Sequence, residues 1–530
     1  MNLEKQKHLL RSILMFVIIS AYMTANAIPP TQLTDNRVIP KPVSVIYATG
    51  TFTLTENSAI FIPVEGESDE LIRLGKYLSG KLGPATGFGI PVKSSSGEMT
   101  AGNIYISLSS GDAQLGEEGY QLIVDSVAVN LIANRPAGIF NGIQTIRQLF
   151  PAKIEMSLQQ QGPWKIPAGT IRDYPEYPYR GVMLDVARHF FQVEDVKRYI
   201  DLISSYKMNI MHLHLSDDQG WRIEIKKWPN LTSIGGSTQV GGGRGGFYTQ
   251  DQYADIVKYA SERYIVIIPE IDMPGHTNAA LASYPELNCN GKATELYTGT
   301  KVGFSTLCTG EEITYQFVAD VLGELAALTP GPYLHIGGDE SHVTKLKDYI
   351  TFVNRVQEIV RVLGKQVIGW DEIALSTLKS NSFVQYWSKA NNALNGVKQG
   401  AKVIMSPAPN TYLDMQYNPE TKFGLHWAGY IETDKGYNWD PATLVRGIDK
   451  ENILGIEAPL WTETVTNIDE LEYMVFPRLP GYAEIGWSTP AERNWMEYKT
   501  RLGRHGARFR ALEIDYYPSK QIPWSEPGEQ

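Results

Sequence analysis

The chain has 530 residues, 43% hydrophobic and 20% charged, with a formal net charge of −10. An ordinary apolar fraction without low-complexity tracts marks a folded globular protein longer than one typical domain. The acidic balance, offset by no basic block, argues against nucleic acid or an anionic membrane surface as partner.

The first predicted element is a leader. Lys5, Lys7 and Arg11 precede an apolar core at 13–23, and Ala25-Asn26-Ala27 has the small-x-small form of a secretory cleavage site. The core is too short to span a bilayer comfortably and no later stretch is long and apolar enough, so stable membrane insertion is not expected. Residues 1–27 read as a signal peptide. The mature chain then starts near Ile28 with a charge nearer −12, exported to a periplasmic, extracellular or other secretory compartment. In an oxidising compartment the two cysteines, Cys289 and Cys308, favour a disulfide over free thiols, stapling one loop rather than building the fold.

Residues 28–174 carry short alternating segments, Ser44–Thr53, Asn103–Leu108, Tyr120–Val124 and Ala128–Ala133, between Gly/Ser/Pro turns. Residues 70–82 and 135–149 have helical apolar spacing. An α+β domain with a mostly antiparallel sheet is predicted. None of its acids has a recognisable catalytic setting, so it reads as a packing domain.

From Tyr179, within residues 175–530, strand and helix alternate. Apolar strands are predicted at 181–185, 209–215, 265–268, 332–336, 366–369, 383–387, Lys402–Met405 and 453–458. Helices with one apolar face fall between them, among them Val193, Val196, Ile200 and Ile203, then Tyr253, Ile256, Val257, Ala260 and Tyr264, then Glu312–Leu328. Eight such strands predict an α/β fold, a (β/α)8 TIM barrel, whose active site lies at the carboxyl ends of the strands. Taken strand by strand, that rim offers Asp185 and Arg188; Asp217 and Asp218; Glu270, Asp272 and His276; Asp339 and Glu340; Trp370, Asp371 and Glu372; Trp387; Tyr412 and Asp414; Trp461 and Glu463. Carboxylates, an arginine and tryptophans converging on one mouth suit a pyranose, because apolar sugar faces stack on indole while hydroxyls bond to charged groups.

The most informative motif is His335-Ile336-Gly337-Gly338-Asp339-Glu340. Two glycines let the chain turn tightly behind a buried strand, and two adjacent acids repel, so one is expected to be held protonated as a general acid. Retaining glycosidases ordinarily place two carboxylates about 5–5.5 Å apart across the bond. Sequence neighbours cannot easily straddle a sugar ring that way. They can place one acid at the glycosidic oxygen and the other beside a 2-acetamide, whose carbonyl then attacks the anomeric carbon.

Tyr179-Arg180-Gly181, Asp185-Val186-Ala187-Arg188-His189-Phe190, the run from His212 to Trp221, the run from Pro269 to His276, and the His335-to-Glu340 motif together resemble a β-N-acetylhexosaminidase of glycoside hydrolase family 20, with no departure at the matching positions. The resemblance implies an exo-acting, retaining, substrate-assisted enzyme for terminal β-linked GlcNAc or GalNAc, acting on an N-acetylhexosamine-terminated oligosaccharide or glycoconjugate. It implies Glu340 as acid and then base, Asp339 as orienter of the acetamide, and Tyr412 as donor to the acetamide oxygen. Asp217 and His276 would form a relay behind Glu340. Trp370, Trp387 and Trp461 would wall the acetyl pocket and sugar face, and Arg188, Asp414 and Glu463 would hold ring hydroxyls. It also implies a loop disulfide, fitting Cys289 and Cys308, and neither cofactor nor metal. Dimers occur in that family, so a homodimer is compatible with it.

Two other readings compete. His212 and His214 alternate on one strand face, as metal ligands do in some barrel hydrolases, but later strands supply no histidine partner. A sugar-binding protein without catalysis would be expected to lack Asp339 or Glu340. The glycine run at 241–246 lacks the Lys-Ser/Thr of a phosphate loop and reads as a surface loop.

Overall fold

A computed structural model describes residues 37–64, 69–95 and 99–525; the leader lies outside the described residues. Among them no helix is long and apolar enough to cross a membrane.

The N-terminal domain is a seven-stranded sheet covered by helices. Its order is Ser44–Thr53, Lys165–Asp173, Tyr120–Val124, Ala128–Ala133, Asn103–Leu108, Ile60–Pro63 and Val92–Ser95. The first three pairings are antiparallel and the last three parallel, so the sheet is mixed rather than mostly antiparallel. The cause is a crossover: strand Ile60–Pro63 leads through helix Asp69–Thr86 into strand Val92–Ser95, and parallel neighbours need such a connection. Helix Pro136–Leu149 is buried from Gly138 to Leu149. One face meets the sheet and the other meets the second domain, where Phe140 packs against Tyr264 with ring centroids 5.6 Å apart.

The second domain is a closed barrel of eight parallel strands. They are β1 (Tyr179–Asp185), β2 (Ile210–His214), β3 (Val266–Glu270), β4 (Tyr333–His335), β5 (Gln366–Trp370), β6 (Phe383–Tyr386), β7 (Lys402–Met405) and β8 (Ile453–Leu460). Side chains alternate along a strand, so each strand sends every second residue into the lumen. At the amino-terminal end these are Tyr179, Ile210, Ile268, Ile368 and Ile404, which form a small apolar plug. One step towards the rim the same alternation delivers His212, His214, Glu270, His335, Gln385 and Glu457, all buried. The barrel is thus closed by an apolar layer below and a polar layer above, on which the site stands.

A buried ion pair ties the two domains together. Asp173, ending its strand, lies 2.8 Å from the Lys207 ammonium, and neither side chain is exposed. Tyr120 donates to the same carboxylate at 2.7 Å and the Trp487 indole at 2.8 Å. Removing one member of a buried pair leaves the other charge uncompensated, a cost of about 3–5 kcal/mol. Asp173→Ala should therefore lower unfolding free energy in chemical denaturation by about that much. The double variant with Lys207→Met should recover much of it; no loss in the single variant would show that the pair does not hold the interface.

Candidate active site

The site begins at the turn after β4. Gly337 and Gly338 have φ of 62° and 107°, and Glu340 itself sits at φ 43°. A methyl group on Gly337 would lie 1.8 Å from Oδ1 of Asp272, so only glycine fits there. The same Asp272 oxygen accepts the Gly338 N–H at 3.0 Å, and Tyr349 donates to the Gly338 carbonyl at 2.6 Å. His276, in the loop after β3, is also left-handed, at φ 54°. Two non-glycine residues in that region, Glu340 and His276, concentrate backbone strain around the acid pair.

His276 underlies both acids. Its Nε2 is 3.6 Å from Oε2 of Glu340 and 3.7 Å from Oδ2 of Asp339, while Nδ1 is 3.2 Å from Oδ1 of Asp217. Burial works against its charge, but Asp217, Asp339 and Asp272 overcome that and hold the imidazole well above its usual range. The cation then splits the pair. Burial alone would raise the Glu340 carboxyl, yet the His276 imidazole 3.6 Å away holds it below the ordinary value. Burial, with Asp272 and then Glu340 beside it, pushes Asp339 well above its ordinary value. The two neighbouring acids are thus pushed in opposite directions, Asp339 up and Glu340 down.

A cavity of about 280 Å³ opens over these groups. Nine of the residues picked from the sequence line it: Arg188, His276, Asp339, Glu340, Trp387, Tyr412, Asp414, Trp461 and Glu463. Arg188 is almost wholly buried, 2.8 Å from Oδ2 of Asp217 and 3.3 Å from Asp185, with its guanidinium 4.8 Å over the Trp461 ring. Asp414 has no hydrogen-bond partner on either oxygen, and Oε2 of Glu463 and Oδ1 of Asp339 have none. Burial and the neighbouring Glu463 push the Asp414 carboxyl well above its usual range.

Two predicted residues lie elsewhere. Asp217 is beneath the cavity, joining Arg188 to His276. Trp370 is also beneath, 5.7 Å from the Trp461 ring, its indole donating to Glu270 at 2.8 Å. The cavity also contains residues not picked from the sequence: Thr300, Val302, Leu425 and Trp427. Trp427 stands edge-on to Trp387 and Tyr412, at 6.1 and 5.9 Å, and is 57% exposed at the mouth. Thr300 and Val302 come from the loop closed by the Cys289–Cys308 disulfide. Aromatic and apolar residues inside long loops carry no local signal of where they point, and Trp427 stands among Phe423, Leu425, Tyr430 and Ile431 with nothing to single it out.

His and carboxylate groups lie close enough to ligate a cation in several places, including His212, Glu270 and His335, and His214, Asp217 and Asp272; contrary to the expectation from sequence, a later strand, β4, does place a histidine beside His212. Those of His212 and His214 are engaged in histidine–carboxylate contacts: His212 Nδ1 meets Glu457 at 2.9 Å and His214 Nε2 meets Asp217 at 2.8 Å. The second strand's histidines thus belong to the polar layer beneath the site.

Glu372, after β5, accepts the Trp387 indole N–H at 3.0 Å, and burial, then Asp371 and Asp339, push its carboxyl up to about 8. A carboxyl raised on folding contributes stability that is present at low pH and lost as pH rises towards its folded value. Glu372→Gln keeps the acceptor and cannot ionise. Its melting temperature should match the parent's only near pH 4 and exceed it increasingly up to pH 9; parallel pH curves for the two proteins would contradict this.

The chain is similar to known proteins over nearly its whole length. Residues 177–490 match the glycosyl hydrolase family 20 catalytic domain, and residues 35–174 match that family's domain 2. A β-N-acetylhexosaminidase of Cellulomonas fimi is 40% identical, over 93% of this chain and 98% of its own. A family 20 β-N-acetylhexosaminidase structure from Streptomyces coelicolor A3(2) superposes with a TM-score of 0.90 at 49% identity, covering 93% of this chain and 100% of that one. A mutant β-hexosaminidase of Streptomyces plicatus, in complex with its product GlcNAc, gives the same TM-score, covering 94% and 99%. The chain belongs to glycosyl hydrolase family 20 and is a glycoside hydrolase.

Proposed function

We propose that this enzyme is an exo-acting, retaining β-N-acetylhexosaminidase that removes terminal GlcNAc or GalNAc by substrate-assisted catalysis. The observation that carries the reading is the set of unpaired carboxylate oxygens of Asp414, Glu463 and Asp339, gathered with Arg188 under an aromatic wall. An unsatisfied buried polar group costs about 1–3 kcal/mol, a cost that ring hydroxyls and an amide N–H would relieve on binding. The cavity lies just below the usual range for drug-sized ligands, about 300–1,000 Å³, which suits one terminal sugar rather than a chain passing through. Trp427 and Val302 at its mouth offer apolar faces to the departing group.

In this reading the acetamide seats against Asp339 and Tyr412, with Trp387 and Trp461 around it. Binding buries Glu340 and offers an N–H to Asp339, which favours ionised Asp339 and a proton on Glu340. Glu340 protonates the glycosidic oxygen while the acetamide oxygen attacks the anomeric carbon from the opposite face. Asp339 steadies the positive ring that forms, and Glu340 then draws a proton from the water that opens it. Two inversions give retention, and no side chain of the protein forms a bond to the sugar. We further propose that the protein is exported after removal of residues 1–27; the Cys289–Cys308 disulfide supports an oxidising compartment.

Glu340→Gln should lower kcat/KM by about 10²- to 10⁴-fold on an N-acetylglucosaminide with a poor leaving group. Asp339→Asn should lose most activity on N-acetyl substrates. Equal parent turnover of the matching β-glucoside, which lacks the acetamide, would defeat the mechanism.

A further inference from the structure

His214, on β2, stands between two carboxylates. Its Nδ1 makes a short hydrogen bond to Oε2 of Glu270, and its Nε2 meets Oδ2 of Asp217 at 2.8 Å. All three side chains are buried. A carboxylate only accepts, whereas a neutral imidazole has one N–H, so both contacts hold together only if both ring nitrogens carry hydrogen.

The remaining escape would be a proton on one of the carboxylates, and their surroundings oppose it. Asp217 also receives Arg188 on Oδ2 at 2.8 Å, and on Oδ1 the N–H of Asp218 at 2.6 Å and Nδ1 of His276 at 3.2 Å. Glu270 receives the Trp370 indole on Oε1 at 2.8 Å, with ring nitrogens of His212 and His335 at 3.0 and 2.9 Å. Donors surround Asp217, and the Trp370 indole donates to Glu270; Nδ1 of His335 accepts the Gly337 N–H at 3.1 Å and is no donor to that carboxylate. The other groups facing His214 are Asp272, within ligating distance of the same cluster, and the edge of Trp461, whose ring centroid is 4.9 Å away. Neither is a cation competing for the two anions.

We infer that His214 is a fixed imidazolium and a positioning residue for the reaction, locking Asp217 so that one carboxylate holds Arg188 at the sugar and His276 at the acid. The catalytic half of this rests on the reading of Glu340 as general acid; the charge of His214 does not. Geometrically the chain runs from Glu270 through His214, Asp217 and His276 to Glu340, acid and base alternating, with Arg188 branching off at Asp217. Desolvation opposes the His214 charge, but Glu270 and Asp217 outweigh it, consistent with the donor count.

Two measurements test this. Neutron diffraction from crystals of the unaltered protein at neutral pH should show deuterium on both Nδ1 and Nε2 of His214; a single deuteron would overturn the inference without any variant having to fold. His214→Gln, assayed on paired N-acetylglucosaminides, should slow an alkyl leaving group, which needs protonation, on the order of 10²-fold. It should slow a nitrophenyl leaving group much less, and move the alkaline limb of kcat/KM to higher pH, because losing a cation disfavours ionised Glu340. Equal slowing of both substrates with an unmoved pH profile would make His214 a merely structural residue and overturn the positioning role. Failure of the acid assignment has a separate signature, an active Glu340→Gln enzyme.

Discussion

Two carboxyl groups adjacent in sequence repel each other when both are charged in a buried pocket, so their proton affinities must be set apart by a neighbouring group. Here that is His276, whose Nε2 lies within 3.7 Å of an oxygen of each. The imidazole can do so only because Asp217 stands behind it, and Asp217 is in turn pinned by Arg188 and His214. In the proposed mechanism one contact thus couples sugar binding to proton delivery. Arg188 in the cavity wall and His276 beneath the acids share a single carboxylate, so disturbing either end is felt at the other.

The polar layer inside the barrel is costly to build. Burying His212, His214, His335, Glu270 and Glu457 in place of aliphatic side chains forfeits hydrophobic stabilisation and demands near-complete pairing. The fold meets that demand by alternation. The isoleucines of the plug and the ionisable groups above them are successive inward positions on the same strands, so the apolar layer seals the lumen while the next layer faces only its own partners. Strain at Glu340 and His276 is tolerated for the same reason: Asp272, Tyr349 and the glycine pair hold the turn from several sides.

The barrel was readable because its strands are short apolar runs ending in polar or tryptophan residues. Nine cavity residues were readable because they follow those runs closely. The limits were equally physical. Glu457 lies in the middle of an apolar strand, and only its partners His212 and Gln385, far away in sequence, explain it. Trp370 shares the strand-end pattern of Trp387 and Trp461 but lies one layer deeper, since pattern gives register and not depth. Lys165–Asp173 escaped notice because Pro167 and Gly169 interrupt its alternation; pairing on both edges supplies what the local sequence lacks. Thr300, Val302 and Trp427 reach the mouth through loops whose paths are set by a disulfide and by packing, neither of which has a period.

The account turns on the sugar supplying its own nucleophile. The most direct measurement is a crystal structure with a thiazoline mimic of the cyclised intermediate. The N-acyl arm should lie between Asp339 and Tyr412, with the Asp339 carboxyl against the ring nitrogen and Glu340 on the leaving-group side of the anomeric carbon. A bond from the anomeric carbon to any protein side chain, or an N-acyl arm seated away from Asp339, would contradict it.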